Sequence, residues 1–417
     1  MRSRLICFLF LVWSAVAGAV ESTALRIWTS QTGSKVSAKA VELTPNGMVK
    51  LVTQNGRELV LGIEELSEPD QALLKKHFAQ PGVAPAGQQG TIEGPLKADA
   101  DTTYFVFRPK DLNPQLKSPV MIWTQSEGAR RETLERFQEA ADLIGMIIAT
   151  PVEARYEGTV TLLNNSAHTR DVLAKIKSDF RIQPSAIHFG GDKSGGAAAF
   201  NHSIRWKSAG TFTVSGYFER EMKAVNEGYH YLAGQTNSSS RYRTAWTAAR
   251  FGDQATHQFF EGTREMPDSR KITIGMVWMY TRSLYENLSS RSQEASQFEQ
   301  RFLPWLKELA QSSPGEAAYL TELFTDEVRL KGHFKEEVAK LHASLARDSA
   351  AVAHVKGSEA LDRFSEKEMA RYGNHFSPLT NHAPAGYQRQ LERLAAKYQE
   401  AEELKPVFKR LAEPTHQ

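Results

Sequence analysis

A run of small residues does most to restrict the folds open to this chain. Gly190, Gly191, Gly195 and Gly196 lie close together, after the apolar segment 186–189. That segment has the length and composition of a short buried strand, and the small residues after it suit the tightly packed first turn of a helix. The sequence therefore predicts a sharp strand-to-helix turn in which backbone segments approach one another closely.

The turn agrees only in part with the G-x-S-x-G pattern, which places a nucleophilic serine between a strand and a helix. If Gly191 is the first glycine, Lys193 stands at the nucleophile position. If Ser194 is the nucleophile, Asp192 stands where the sharp turn requires a small residue. Whether the chain is an enzyme depends on this departure from the pattern.

Strands and helices alternate around the turn, from about Thr102 to Met279. Such alternation is typical of an α/β sheet. Strands are predicted at Tyr104 to Phe107, Val120 to Trp123, Met146 to Thr150, Ile187 to Gly190, Thr211 to Ser215, Tyr229 to Leu232 and His257 to Phe260.

This order of strands, loop and elbow resembles the α/β-hydrolase family, in particular secreted esterases and polyhydroxyalkanoate depolymerase-like enzymes. The resemblance implies that Pro119 to Trp123 form a central strand and that Gln125 to Gly128, including Ser126, form the oxyanion loop. It also implies that an acid and a histidine follow the nucleophile along the chain.

At the two later positions the chain departs from the family. Asn237 stands where the family has its aspartate, and Arg264 lies in the loop that would carry the histidine. An amide does not stabilise an imidazolium as a carboxylate does, and arginine does not act as a base near neutral pH. With Ser194 also out of register, the sequence favours a degenerate triad and a non-catalytic protein.

An active alternative remains open. Ser194 would be acylated, with His257 or His230 as its base and Asp253 as the orienting acid. The amide of Gly195 and one from the Gln125 to Gly128 loop would hold the oxyanion. The substrate would be an ester or an acylated polymer.

Lys193 has two open interpretations: it is solvated, or it binds an anionic or other small ligand in the cleft together with Arg264, Gly195 and Ser126. No cofactor and no metal site are expected. His333 and His342 are too far apart in sequence for a common ligand pattern, and no H-x-x-x-H or H-E-x-x-H motif occurs.

Near the amino terminus, residues 25–76 alternate apolar and polar positions, with Asn46-Gly47 and Asn55-Gly56 as hairpin turns. Arg26 and Trp28 in the first strand, together with these hairpins, resemble the first Sla homology domain, a small SH3-like barrel. That domain binds short peptide motifs, so the resemblance implies a protein or peptide partner.

The first residues have the pattern of a secretory signal peptide: basic Arg2 and Arg4, an apolar run from Leu5 to Val16, and small residues at a cleavage site. The single cysteine, Cys7, lies within it, so no disulfide is expected after export to the periplasm or beyond the cell. The net charge is +3, which gives no reason to expect a nucleic acid partner, and no membrane span is predicted.

The carboxyl-terminal part is rich in charged residues and is predicted to be helical. In a third interpretation, the protein is purely structural and these helices serve oligomerisation. We thus predict a multidomain protein, with an SH3-like β-barrel, an α/β-hydrolase-like sandwich and an α-helical region. The leading function is an exported, non-catalytic binding or scaffolding protein, and the alternative is a serine esterase using Ser194. The predicted segments are a signal peptide at 1–19, the barrel at 24–77, a linker at 78–97, the hydrolase-like domain at 98–283 and the helical region at 284–417.

Overall fold

The computed structural model describes residues 25–43, 48–77, 89–114, 116–156, 162–216, 228–235, 241–261, 266–325, 332–372 and 385–412. The chain forms two compact units, Met1–Gly82 and Val83–Gln417.

The first unit contains a four-stranded antiparallel sheet in the order β1-β2-β3-β4. Apolar side chains on alternate positions form its core, which includes Trp28, Val49 and Leu51. The predicted alternation is therefore confirmed at the level of an antiparallel sheet, whereas the turn at Asn46-Gly47 lies outside the described residues. Its elements are β1 (Arg26–Thr29), β2 (Lys35–Leu43), β3 (Met48–Thr53), β4 (Glu58–Gly62) and α1 (Glu68–His77).

A buried carboxylate joins α1 to β1. Asp70 is 4% exposed; it accepts a hydrogen bond from the Arg26 guanidinium at 2.8 Å and another from the Thr29 backbone amide at 2.7 Å. The Arg26 guanidinium also lies 4.7 Å from the centre of the Trp28 ring. Arg26, which the resemblance singled out, thus connects the helix to the core tryptophan.

The second unit is built on an eight-stranded sheet in the order β12-β11-β10-β9-β7-β8-β6-β5. The strands from β12 to β8 are parallel, and β6 and β5 are antiparallel to their neighbours. All seven predicted strands are present. The strands are β5 (Thr91–Asp99), β6 (Thr102–Arg108), β7 (Ser118–Thr124), β8 (Ile147–Pro151), β9 (Ile182–Asp192), β10 (Gly210–Val214), β11 (Tyr229–Gln235) and β12 (Ala255–Phe260).

Helices cover both faces of this sheet, as a parallel sheet requires. The helices of this unit, some of which pack on other helices, are α2 (Arg131–Glu135), α3 (Gln138–Ile144), α4 (Leu162–Asp179), α5 (Lys193–Trp206), α6 (Arg241–Phe251), α7 (Ser269–Glu286), α8 (Leu288–Ser312), α9 (Pro314–Thr325), α10 (Gly332–Leu345), α11 (Ser349–Tyr372), α12 (Ala385–Lys397) and α13 (Lys405–Ala412).

The largest core cluster joins the sheet to α3, α7, α8, α9 and α10, through side chains such as Trp123, Phe212 and Phe298. A second cluster on strands β6 to β9 packs against α4, through residues such as Ile122, Val172 and Ile176. The carboxyl-terminal helices therefore belong to the same compact unit as the sheet.

Two features differ from the sequence-based expectations. The linker predicted over residues 78–97 includes most of β5, an edge strand whose Pro95 and exposed polar residues hide the strand pattern. Helix α7 was not anticipated, because nearly all of its residues are buried and its apolar positions show no single stripe. None of the described helices is long and apolar enough to cross a membrane.

Candidate functional site

The candidate site lies where the order of the parallel strands reverses. Strand β7 has β8 on one side and β9 on the other, so the chain leaves β7 in one direction and returns to its opposite side. In open α/β sheets this arrangement opens a crevice outside the carboxyl ends of the two strands. The loop at Gln125 to Gly128 follows β7 there, and the glycine-rich turn follows β9.

The turn after β9 has the geometry of a sharp elbow. Lys193 is the first residue of α5, with a backbone φ of +47°, which is uncommon for a residue other than glycine. A Cβ atom on Gly191 would lie 2.3 Å from the Gly195 carbonyl oxygen, and one on Gly195 would lie 2.5 Å from that of Thr124. Lys193 therefore occupies the apex, and Ser194 follows it.

The Thr124 hydroxyl connects β7 to both sides of the elbow. It lies 3.0 Å from the carbonyl oxygen of Gly190 and 2.9 Å from that of Gly195. Because Thr124 is 1% exposed, these contacts are shielded from water. The elbow is thus held against the end of β7 by backbone and side-chain contacts together.

Asp192 joins the elbow to the loop after β7. Its carboxylate accepts a hydrogen bond of 3.0 Å from the backbone amide of Ser126, and it makes no capping bond to α5. Burial raises the pKa of the Asp192 carboxyl, while the Ser126 amide and the Lys193 ammonium partly oppose that shift. Ser126 is itself buried, and its carbonyl accepts a bond from the Tyr156 amide.

Charged side chains surround the apex. The Lys193 ammonium lies 3.9 Å from one oxygen of Glu127, and the Arg130 guanidinium lies 2.6 Å from the other. The Arg155 side chain packs beside Gly128, where an added Cβ would meet its Nε at 3.4 Å. Ser194 is exposed at the start of α5.

The sequence-predicted site residues Lys193, Gly195 and Ser126 thus come together around Ser194. Asn237 and Arg264 lie outside the described residues, so their roles stay predictions. The sequence placed Glu127 in the expected oxyanion loop without giving its side chain a role, and it did not single out Arg130; the structure brings both to the apex. Their pairing could not be predicted, because contacts across the crevice depend on strand order.

The structure does not support the histidines considered as bases for Ser194. His230 is fully buried against the rings of Phe200 and Phe251, at centroid distances of 5.4 and 4.6 Å. Burial lowers the pKa of His230 to about 3.

His257 and Asp253 are also separated from the elbow. The His257 Nε2 lies 3.2 Å from a carboxylate oxygen of Asp362 on α11, and β12 is three strands away from β9. Asp253 precedes β12 and therefore stands at the opposite, amino-terminal edge of the parallel strands. The triad of Ser194 with either histidine and Asp253 is wrong because strand order separates its members.

In the described part of the chain, no group of three or more histidine, cysteine, aspartate or glutamate residues is arranged to hold a metal ion. His342 instead lies 3.4 Å from Glu322 on the neighbouring helix α9.

No family model matches the sequence, and no curated protein is significantly similar to it. Several solved structures resemble it weakly. A Bacteroides ovatus protein assigned as a dipeptidyl aminopeptidase IV is 14% identical over 61% of this chain and 43% of its own, with a TM-score of 0.35. This chain therefore spans less than half of that protein's length.

Two esterases align over more of their own length. Thermogutta terrifontis esterase 2 is 13% identical over 44% of this chain and 84% of its own, with a TM-score of 0.33. A hyperthermophilic esterase from the archaeon Pyrobaculum calidifontis is 10% identical over 52% of this chain and 87% of its own, with a TM-score of 0.35. At these values the likeness concerns the fold alone and transfers no substrate or residue role.

These comparisons correct the leading functional interpretation of the sequence. The solved structures that resemble the chain are described as esterases and a peptidase, so the prediction of a non-catalytic binding or scaffolding protein is contradicted and is not kept. The mixed sheet, the helices on both of its faces and the elbow after β9 are consistent with the predicted α/β-hydrolase-like fold of the second unit.

Proposed function

We propose that the second unit hydrolyses ester bonds, with Ser194 as the nucleophile. The observation that carries the proposal is the elbow at the strand-order reversal. It places the exposed Ser194 as the second residue of α5, directly after the apex residue Lys193. In the nucleophile elbow the serine stands at the apex between strand and helix, so Ser194 lies one residue beyond that position.

The reaction would proceed in two steps. The Ser194 oxygen attacks the ester carbonyl carbon and the alcohol leaves with a proton, which forms an acyl-serine; water then attacks that carbonyl and releases the acid. The oxyanion of each tetrahedral intermediate would be held by the amide of Gly195 and one from the loop after β7. The Ser126 amide already donates to Asp192, so Glu127 or Gly128 would supply the second amide.

The base in this proposal is Asp192, the residue before the apex, whose carboxylate is fixed at the elbow by a hydrogen bond of 3.0 Å from the Ser126 amide. Burial raises the pKa of its carboxyl, and a raised pKa makes a carboxylate a stronger base. An asparagine at this position keeps an oxygen that can accept the hydrogen bond from the Ser126 amide, but it lacks the basic carboxylate. Asp192→Asn should therefore lower kcat about 100-fold or more and abolish the fall of activity toward acid pH.

Covalent labelling tests the nucleophile directly. The purified protein would be incubated with a fluorophosphonate probe and with 4-nitrophenyl butyrate, and the labelled peptide identified by mass spectrometry. We expect one label, on Ser194, and loss of both labelling and hydrolysis in Ser194→Ala. Ser289, an exposed serine at the start of α8, provides the matched control, because Ser289→Ala should label as the parent does.

Absence of a label on Ser194, with the protein folded by circular dichroism, would reject this function. Labelling of Ser194→Ala at the parental rate would reject Ser194 as the nucleophile.

For the first unit we propose an SH3-like barrel that binds a protein or peptide. The support is the antiparallel sheet with Trp28 buried in its core, and the exposed apolar side chains Ile27 and Val60, which are 59% and 61% exposed. Ile27→Ser with Val60→Ser should reduce binding to a peptide-library hit at least tenfold while leaving ester hydrolysis unchanged. Equal peptide binding by the parent and the double variant would reject this surface.

We also propose export, on the basis of the amino-terminal pattern. Sequencing the amino terminus of protein recovered from a bacterial periplasm should place the first residue near Gly18 or Val20. Recovery of an intact Met1 from the cytoplasm alone would reject it.

A further inference from the structure

We propose that the site prefers esters whose acyl part carries a second, anionic group, and that Glu127 occupies the place of that anion between Lys193 and Arg130. This inference rests on the proposed ester hydrolysis for its substrate, although the binding of the anion can be measured without it.

The Glu127 carboxylate is held from two sides. One oxygen lies 2.6 Å from the Arg130 guanidinium and the other lies 3.9 Å from the Lys193 ammonium. Two cations that share one carboxylate provide the arrangement that a carboxylate-bearing ligand would need. Because Lys193 is the apex residue next to Ser194, such a ligand would lie beside the reacting hydroxyl.

Glu127 holds this place weakly. Its side chain is 51% exposed and that of Arg130 is 64% exposed, and the contact with Lys193 is at the long limit for an ion pair. Exposed ion pairs contribute little to stability because water screens them. A substrate carboxylate can therefore displace Glu127 at small cost, and the displaced side chain has solvent on its open side.

A third cation lies next to the pair. Arg155 is exposed and lies beside Gly128, the next residue after Glu127. When the Glu127 carboxylate is displaced, positive charge is in excess at the mouth of the crevice, from Lys193, Arg130 and Arg155.

The position of Lys193 also limits the substrate. Its backbone adjoins that of Ser194, so the anion and the attacked carbonyl must lie within one short acyl chain. Monoesters of short dicarboxylic acids meet this requirement, whereas a long acyl chain would carry the carboxylate away from the apex. Succinate and glutarate monoesters are the matching class.

The first experiment measures binding without hydrolysis. Isothermal titration calorimetry on Ser194→Ala would use glutarate, with the neutral glutaramide as the matched ligand. We expect glutarate to bind and glutaramide not to. We also expect Glu127→Gln in that background to tighten glutarate binding about fivefold, and Lys193→Met to weaken it by a similar factor. The matched controls are Glu132→Gln on α2 and Lys207→Met at the end of α5, which should leave binding unchanged.

The second experiment uses the active chain. The ratio of kcat/KM for 4-nitrophenyl hemisuccinate to that for 4-nitrophenyl butyrate should rise about fivefold in Glu127→Gln and fall about fivefold in Lys193→Met. The change should lie in the KM for the hemisuccinate. Rising salt should lower the ratio in the parent chain, because it screens the exposed cations.

Glutarate that binds no better than glutaramide, or that binds Glu127→Gln and the parent equally, would overturn the inference. The two proposals can be rejected independently. If Ser194 is not labelled, the hydrolase function is rejected, but the calorimetry still measures whether glutarate binds. Conversely, if Ser194 is labelled but glutarate binds no better than glutaramide, only the proposed substrate class is rejected.

Discussion

Polar side chains of the second unit lie in two contrasting environments, at the elbow after β9 and within the buried strands that carry histidines. Asp192, Lys193 and Ser194 lie at the carboxyl end of β9, where glycines let the backbone turn sharply and the side chains reach partners or solvent. His188 and His230 lie within strands and are completely buried. Among the described residues, neither ring nitrogen of these two histidines has a hydrogen-bond partner.

The difference shows that placement along a strand, more than residue type, decides what a polar side chain can do. His230 contacts phenylalanine rings and His202 stacks on Trp206 at 4.8 Å, so both act as aromatic core residues. Burial lowers the pKa of His188, His202 and His230 to about 3, which keeps all three neutral. The strand end, where the sheet stops, is the part open to a substrate.

Acid should produce the largest effect in this comparison. The pKa of the three histidines is about 3 in the folded state and about 6.5 in an exposed histidine, so the unfolded chain binds more protons between these limits. Their stabilisation is present above pH 6.5 and is lost as the pH falls toward 3. From pH 7.5 to 5 the free energy of unfolding should drop by about 6 kcal/mol for the three together. Urea unfolding at both pH values measures it.

A single variant sharpens that prediction. His230→Leu puts an apolar side chain against the two phenylalanine rings but removes one titrating group, so the pH slope should decrease by about one proton. His333 is exposed on α10, and His333→Gln should leave the slope unchanged. A slope that does not respond to His230→Leu would show that this histidine is not buried neutral.

Glycine substitutions test the elbow side of the comparison. In Gly195→Ala the new Cβ would lie 2.5 Å from the backbone oxygen of Thr124, which is too close for either segment to accommodate cheaply. We expect a loss of about 2–4 kcal/mol of stability, measured by urea unfolding, together with loss of labelling at Ser194. Gly386 stands in the first turn of α12 with no atom near its Cβ position, so Gly386→Ala should stabilise slightly. Equal effects at the two glycines would contradict the close packing of the elbow.

The weakest effect is expected for two lysines at the two ends of α5. Lys193 and Lys207 have φ values of +47° and +48°, at the start and just past the end of the helix. Replacing either by glycine removes backbone strain and should stabilise the fold by about 0.5–1 kcal/mol in thermal unfolding. Only Lys193→Gly should also reduce glutarate binding. If both variants bind glutarate as well as the parent chain, the ligand role of the apex is lost.

The positions of the parallel strands were predictable because each is a short apolar run bounded by turn residues. The alternating residues of the first unit likewise predicted its antiparallel sheet. Strand β5 was missed because Pro95 and polar residues dilute its pattern, and α7 because burial on all sides removes the helical stripe. In both cases the deciding interactions come from distant parts of the chain.

At the site, the sharp, glycine-lined turn after a buried strand was predictable from local sequence, because only glycine fits such close backbone approaches. Tertiary structure decided the rest. Backbone geometry placed Lys193 at the apex, and the order of β7 and β9 brought Glu127, Arg130 and Ser126 to it. The same strand order kept His257 and Asp253 away, since pairing across a sheet depends on which strands become neighbours, and no local pattern specifies that.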